Sequence, residues 1–113
     1  MKKKNLLITG GSTRIGKEIA LHFARRGWNI IIHYFNSSSE ARILKKIIEK
    51  NKVKAILIKA DLKNRKQVEN IFSLAKKELG KIDCLVNNAA LFEKDDILNF
   101  TSKNWNDHLN INL

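Results

Sequence analysis

The sequence predicts an α/β fold, a doubly wound parallel sheet, and three observations carry that expectation. Short apolar runs alternate with segments of helical period from the N-terminus onward. The helical segments have the length of crossovers between parallel strands. The 113 residues contain no proline, no linker composition and no internal repeat, which limits the chain to one small domain.

Asn5 to Thr9 is a short apolar run that breaks at Gly10-Gly11, a buried strand entering a turn. From Arg14 the period changes. Ile15, Ile19, Ala20, Phe23 and Ala24 recur at three- and four-residue steps, predicting a helix with those side chains inward and Gly27 past its end. Trp28 to Tyr34, centred on Ile30-Ile31-Ile32, is a second strand. Ser37 to Glu40 has capping-box spacing, and Ala41, Leu44, Ile47 and Ile48 give a second helix one apolar face. Val53 to Ile58 is a third strand, closed by Ala60-Asp61-Leu62. A third helix runs from Arg65 to Leu79 with Val68, Ile71, Phe72, Ala75 and Leu79 inward and Gly80 as its stop. Ile82 to Val86 is a fourth strand.

After a loop from Asn87 to Phe100, Thr101-Ser102 cap a last helix that uses Trp105 and Leu109, four apart. The sequence stops at Ile111-Asn112-Leu113 within that helical pattern, where a finished domain seldom ends. The expected strand order is 3-2-1-4. With strand four at the edge, Leu85 and Val86 are exposed there, and the isolated polypeptide is expected to be marginal or aggregating.

Lys and Arg number 22 against 11 Asp and Glu, a formal charge of +11. The whole excess lies in residues 1–60, with 14 basic and 3 acidic side chains. Such a half attracts nucleic acid or a phosphorylated small molecule. Richness in Lys, Asn and Ile offers the plainer reading, a solvated surface coloured by compositional bias. No apolar run is long enough to cross a bilayer, and the stretch behind Lys2-Lys3-Lys4 is too short for a signal peptide. The single cysteine, Cys84, excludes an internal disulfide and points to a reducing, cytoplasmic setting. It sits in an apolar strand and reads as core. His22, His33 and His108 lack metal-ligand spacing, so no metal is expected. Trp28 and Trp105 read as packing residues.

Thr9-Gly10-Gly11-Ser12-Thr13-Arg14-Ile15-Gly16 lies between a strand and a helix, where a dinucleotide's pyrophosphate sits in this architecture. A helix N-terminus offers unpaired N–H groups and partial positive charge, and glycines admit close backbone approach. The spacing is not Gly-x-Gly-x-x-Gly, and an ordinary tight turn is the alternative. Asn87-Asn88-Ala89-Ala90 follows strand four directly. In the order 3-2-1-4, strands one and four flank the topological switch point, so both segments and Asp61 face one crevice.

These residues resemble the N-terminal part of the short-chain dehydrogenase/reductase family. The resemblance rests on Thr9-Gly10, Arg14-Ile15-Gly16, Ala60-Asp61-Leu62, Asn87-Asn88-Ala89 and Asn110-Ile111-Asn112-Leu113, in order and spacing along the whole chain. Arg14 in place of the middle glycine, Ile32-His33-Tyr34 and Phe92 are similar to the pteridine reductase and dihydrofolate/dihydromonapterin reductase branch. The resemblance implies an incomplete Rossmann-type domain over residues 1–113 that stops before the catalytic Tyr-x-x-x-Lys segment. It also implies that Gly10, Ser12, Arg14, Ile15 and Gly16 hold the pyrophosphate and ribose. Asp61 and Leu62 border the adenine, and Asn88, Ala89 and Ala90 follow the nicotinamide-side ribose, while Asn87 ties the sheet. Phe92 stacks on a pterin, with core packing as its alternative. Asn112 matches the asparagine that supports a proton-relay water through its main chain. Full-length relatives are often homo-oligomers.

Cofactor choice has its own argument. Strand two ends in Tyr34-Phe35-Asn36-Ser37-Ser38, with no carboxylate before Glu40 to accept a ribose 2′-hydroxyl. Tyr34 and the serines beside Arg14 suit a 2′-phosphate, so NADP(H) is expected, although Asn36 stands where that branch often has arginine, and Ser37 also fits a plain helix cap. The only tyrosine, Tyr34, is followed four residues on by Ser38 rather than lysine, so the 113 residues are not expected to catalyse hydride transfer alone. Two further readings are a non-enzymatic nucleotide-binding remnant and a basic nucleic-acid-binding protein. Binding without turnover distinguishes the first, and a steep salt dependence the second. Only charge supports the last; neither nucleic acid nor membrane is expected as a partner.

Overall fold

Successive side chains of a strand point to opposite faces of its sheet, and the apolar runs of this chain use both faces. In the computed structural model, which describes residues 2–89 and 110–112, β1 (Asn5–Thr9) is buried along its whole length. Leu6 and Ile8, with Ile30 and Ile32 of β2 (Asn29–Tyr34), pack on one side. Their partners are Ala20 and Ala24 of α1 (Arg14–Arg25) and Leu44 and Ile48 of α2 (Ser38–Glu49). Leu7, Ile31 and Leu85 of β4 (Cys84–Asn87) join Val68, Ile71, Phe72 and Ala75 of α3 (Arg65–Leu79) on the other. Strands β3 (Ala55–Lys59) and β5 (Asn110–Asn112) complete a five-stranded sheet in the order β3-β2-β1-β4-β5, with every pairing parallel. That order sets Thr9 level with Asn87, which brings the segments after β1 and β4 to one rim.

Helix α3 has the boundaries that its periodicity predicts, and both ends have a physical cause. The Asn64 side chain accepts from the Gln67 N–H at 3.2 Å, and Gly80 closes the helix at φ 84°. The strands are shifted slightly from expectation. Trp28 precedes β2 because its N–H donates to the Phe23 carbonyl, with its ring edge-on to Phe23 at 4.9 Å. Val53 and Ile82 are buried yet lie ahead of the first ladder pairs of their strands.

Three expectations need correction. Ile15 does not face the core; it is 69% exposed, and the inward stripe of α1 is Gly16, Ala20, Leu21 and Ala24. Small residues allow α1 to lie close to the sheet, which turns the larger Ile15, Ile19 and Phe23 stripe to the flank. The capping box of α2 does not form, because Ser37 occupies the N-cap without a side-chain hydrogen bond. Residues 110–112 form β5 rather than a helix end, so β4 is interior, and Leu85 is 1% exposed. The alternation Asn-Ile-Asn fits a strand as well as a short piece of helix. The helix expected around Trp105 and Leu109 lies outside the described residues. Among the described residues, no helix is long and apolar enough to cross a membrane.

Candidate functional site

The site begins where β1 runs out of apolar residues. Gly10 turns the chain at φ 61°, a conformation that a side chain disfavours. Gly16 is required for a different reason. A Cβ there would stand 2.3 Å from the Gly10 carbonyl oxygen and 2.9 Å from Gly11 Cα, so only glycine lets α1 start directly over the turn. Arg14 also has a positive φ, 52°, which costs a residue with a Cβ about 1 kcal/mol. Glycine would adopt that conformation without strain; here the strained residue is an exposed arginine at the helix start.

Side chains from β1, β2 and β4 fix the turn. Thr9 Oγ1 donates to Asn87 Oδ1 at 3.0 Å and accepts from the Ala89 N–H at 3.2 Å. Asn88 Nδ2 donates to the Gly10 carbonyl at 3.0 Å. The Gly10 N–H donates to His33 Nδ1 at 3.0 Å, and the Gly11 N–H to the His33 carbonyl at 3.1 Å. His33 Nε2 carries the ring proton and donates to the Ala60 carbonyl at 2.8 Å, since that oxygen can only accept. His33 is 3% exposed, and burial holds its pKa below the ordinary 6.5, opposed by the Ala60 carbonyl.

The N–H groups of the first turn of α1 stand apart from this network. Arg14, Ile15 and Gly16 have no carbonyl four residues back within the helix, and Thr13 at the N-cap makes no side-chain hydrogen bond. Ser37, at the N-cap of α2, makes none either. Gly10, Ser12, Thr13, Tyr34, Ser37, Asp61, Leu62 and Ala89 line a crevice of about 430 Å³ with His33 at its wall. Asp61 presents its carboxylate there half-buried, with Oδ1 accepting from the Lys63 N–H at 2.9 Å. No other carboxylate lines this crevice among the described residues.

The structure therefore brings Gly10, Ser12, Tyr34, Ser37, Asp61, Leu62 and Ala89, half of the residues singled out from the sequence, to one crevice. Leu62 lines the crevice while most of its side chain lies in the core. The Ile15 side chain points instead along the outer flank of α1, so it has only its main chain to offer the turn, whereas Arg14 borders both that flank and the groove it shares with Ser12 and Thr13 between the starts of α1 and α2. Asn88 is committed to Gly10, which makes it a brace of the turn. Ala90 and Phe92 lie outside the described residues, and the Asn112 backbone pairs with Val86. In the sequence His33 has no metal-ligand spacing and no stated role in holding the turn. Its signal was parity: Ile30 and Ile32 share one sheet face, which sets His33 with Ile31 on the other, at the strand's end beside the turn.

The sheet order and the glycine turn at the β1–β4 crevice define a Rossmann-type α/β domain. The model of the family "short chain dehydrogenase" matches residues 4–113, and the chain belongs to that family. It is 29% identical over 110 residues to 3-oxoacyl-[acyl-carrier-protein] reductase FabG of Staphylococcus epidermidis, covering 97% of this chain and 45% of the relative. A dehydrogenase of Burkholderia cenocepacia, solved with bound NADP, superposes with a TM-score of 0.72 at 31% identity, over 76% of this chain and 34% of that one. FolM alternative dihydrofolate reductase 1 of Brucella canis, complexed with NADP, gives 0.71 at 34% identity, over 80% and 36%. The chain thus spans less than half the length of these relatives.

Proposed function

We propose that the chain is the NADP(H)-binding segment of an oxidoreductase that transfers hydride to a pterin- or dihydrofolate-like substrate or a related carbonyl compound. One observation carries this reading. The N-termini of α1 and α2 open on neighbouring sides of the β1–α1 turn, neither blocked by a capping side chain. Two anion-receptive helix ends separated by a glycine turn fit a pyrophosphate and a second phosphate on one ligand. The likeness to Brucella FolM supports the pterin-type substrate, as do Arg14, His33-Tyr34 and Phe92. The likeness to FabG supports the carbonyl class.

In this reading the main-chain N–H groups of Arg14, Ile15 and Gly16 bind the pyrophosphate, with Ser12 and the Arg14 guanidinium beside it. Gly10 admits the close approach. Ser37 and Tyr34 receive the ribose 2′-phosphate, Asp61 and Leu62 border the adenine, and Asn88, Ala89 and Ala90 follow the second ribose. Phe92 stacks on the substrate ring, and Asn112 orders a relay water. The cofactor supplies hydride, and the residues named here bind and orient it. A proton donor of the Tyr-x-x-x-Lys type is not among the 113 residues, so this polypeptide binds without turning over.

The test is a titration of the chain with NADPH and NADH, followed by nicotinamide fluorescence. NADPH is expected to bind at least about tenfold more tightly, the difference one charge-assisted phosphate contact provides. Equal affinity for both would overturn the cofactor assignment.

A further inference from the structure

The turn that faces the proposed ligand is held from below by one imidazole. Gly10 and Gly11 both commit their N–H groups to His33, one to Nδ1 and one to the carbonyl, while Nε2–H reaches across to β3's end at Ala60. Ala60 is tied back in turn, its N–H donating to the Tyr34 carbonyl at 3.0 Å. A single buried side chain therefore joins the exits of β1, β2 and β3, and only its neutral, Nε2-protonated form fits both partners. A second proton would have to go on Nδ1, where it would point at the Gly10 N–H, donor against donor.

We propose that neutral His33 is a positioning residue for the nucleotide-binding turn, and that its protonation releases Gly10 and weakens cofactor binding. The release of the turn is a property of the chain itself; the effect on binding rests on the NADP(H) reading above. His33 acts through Gly10 and has no need to touch the ligand. Among the described residues, the glycine turn and the residues after β4 bring no titratable group to this crevice. Tyr34 on β2, together with Asp61 and Lys63 after β3, line the same crevice. The shift of His33 has burial as its main cause, opposed by the Ala60 carbonyl.

Two substitutions separate the two hydrogen bonds. In His33→Asn, the amide oxygen replaces Nδ1 as acceptor for Gly10 and does not titrate. In His33→Gln, the longer amide keeps the Ala60 contact and gives up the Gly10 contact. The full chain, with its glycines labelled with ¹⁵N, is followed by NMR from pH 8 to 5 without ligand. The Gly10 amide resonance is expected to move with the His33 titration in the native chain and to stay still in H33N. NADPH affinity of the native chain is expected to fall about tenfold more than that of H33N over the same range. The comparison with H33N cancels the titration of the cofactor's own phosphate. H33Q, folded by the dispersion of its spectrum, is expected to bind about tenfold more weakly than H33N at pH 8. A Gly10 amide indifferent to His33, or an imidazole protonated at Nδ1 at pH 8, would overturn the proposal. If NADPH binds at no pH while the Gly10 amide still tracks His33, the NADP(H) reading fails and the release of the turn stands.

Discussion

The two rims of the sheet use the same polar chemistry to opposite ends. On the rim where the strands begin, Asn29 Nδ2 donates to Asn5 Oδ1 at 3.0 Å, and Asn29 Oδ1 accepts the Lys54 N–H at 2.8 Å. Asn5 Nδ2 donates to the Lys81 carbonyl at 2.7 Å, and the Asn5 N–H to Asp83 Oδ2 at 2.8 Å. Four strands are laced together, and these buried amides are turned inward on protein partners. On the opposite rim, Thr9, Asn87, Asn88 and His33 brace the turn in the same way, yet the first N–H groups of α1 receive no capping side chain from Thr13. One rim closes its hydrogen bonds and the other presents some of them. A binding rim thus differs from a structural one in where its donors point, more than in how polar it is.

The largest test of that contrast is Gly16→Ala. The added methyl meets backbone that cannot yield, so a loss of about 3 kcal/mol in urea unfolding is expected, together with the loss of NADPH binding. Asn29→Ala breaks the closed rim instead. It leaves the Lys54 N–H and the Asn5 amide short of partners and is expected to cost about 2 kcal/mol. NADPH affinity should stay within about twofold, since the crevice lies roughly 15 Å away along β2. Comparable losses of binding and stability in this variant would show that the rims are not separable.

Arg14→Gly sharpens the contrast, because here stability and binding are expected to move in opposite directions. Glycine relieves the positive φ and raises stability by about 1 kcal/mol. Loss of the guanidinium weakens NADPH binding about tenfold, as a titration in low salt would show. Ser37→Ala is a smaller change. A capping serine costs about 1 kcal/mol when lost, but Ser37 makes no capping bond, so melting should not move while NADPH affinity falls about threefold. A loss of stability with unchanged affinity would return Ser37 to the role of a plain cap. The least pronounced effect is on pH. The folded-state pKa of His33 is below its unfolded value of about 6.5, so the unfolded chain takes up the proton first. Its contribution to stability is whole above about pH 6.5 and declines as pH falls towards the folded pKa. Urea midpoints of H33N should lack that part of the acid slope.

The alternation of apolar runs and helical periods was enough to place β1, α3 and the strand order around the switch point, because burial on two faces leaves a direct mark on composition. The glycine turn, Asp61 and the Asn87–Ala89 segment were legible as one rim for the same reason: strand order fixes which ends meet. The inward face of α1 was not legible. Periodicity ranks residues by size and apolarity, whereas packing chose the Gly16, Ala20 and Ala24 stripe because it permits close approach. The Ser37–Glu40 spacing had no way to reveal that the serine leaves its helix end open.

By itself, then, the sequence determined the class of fold, the position of the nucleotide-type turn and the absence of a carboxylate at the end of β2. These are matters of residue type, order and spacing. Tertiary structure alone decided which donors are consumed and which are offered. Asn5 finds Asn29 on β2, and His33 finds Gly10 and Ala60, only when parallel register aligns strands distant in the chain. Hydrogen bonds depend on distance and direction to within fractions of an ångström, and that information exists only in the folded chain.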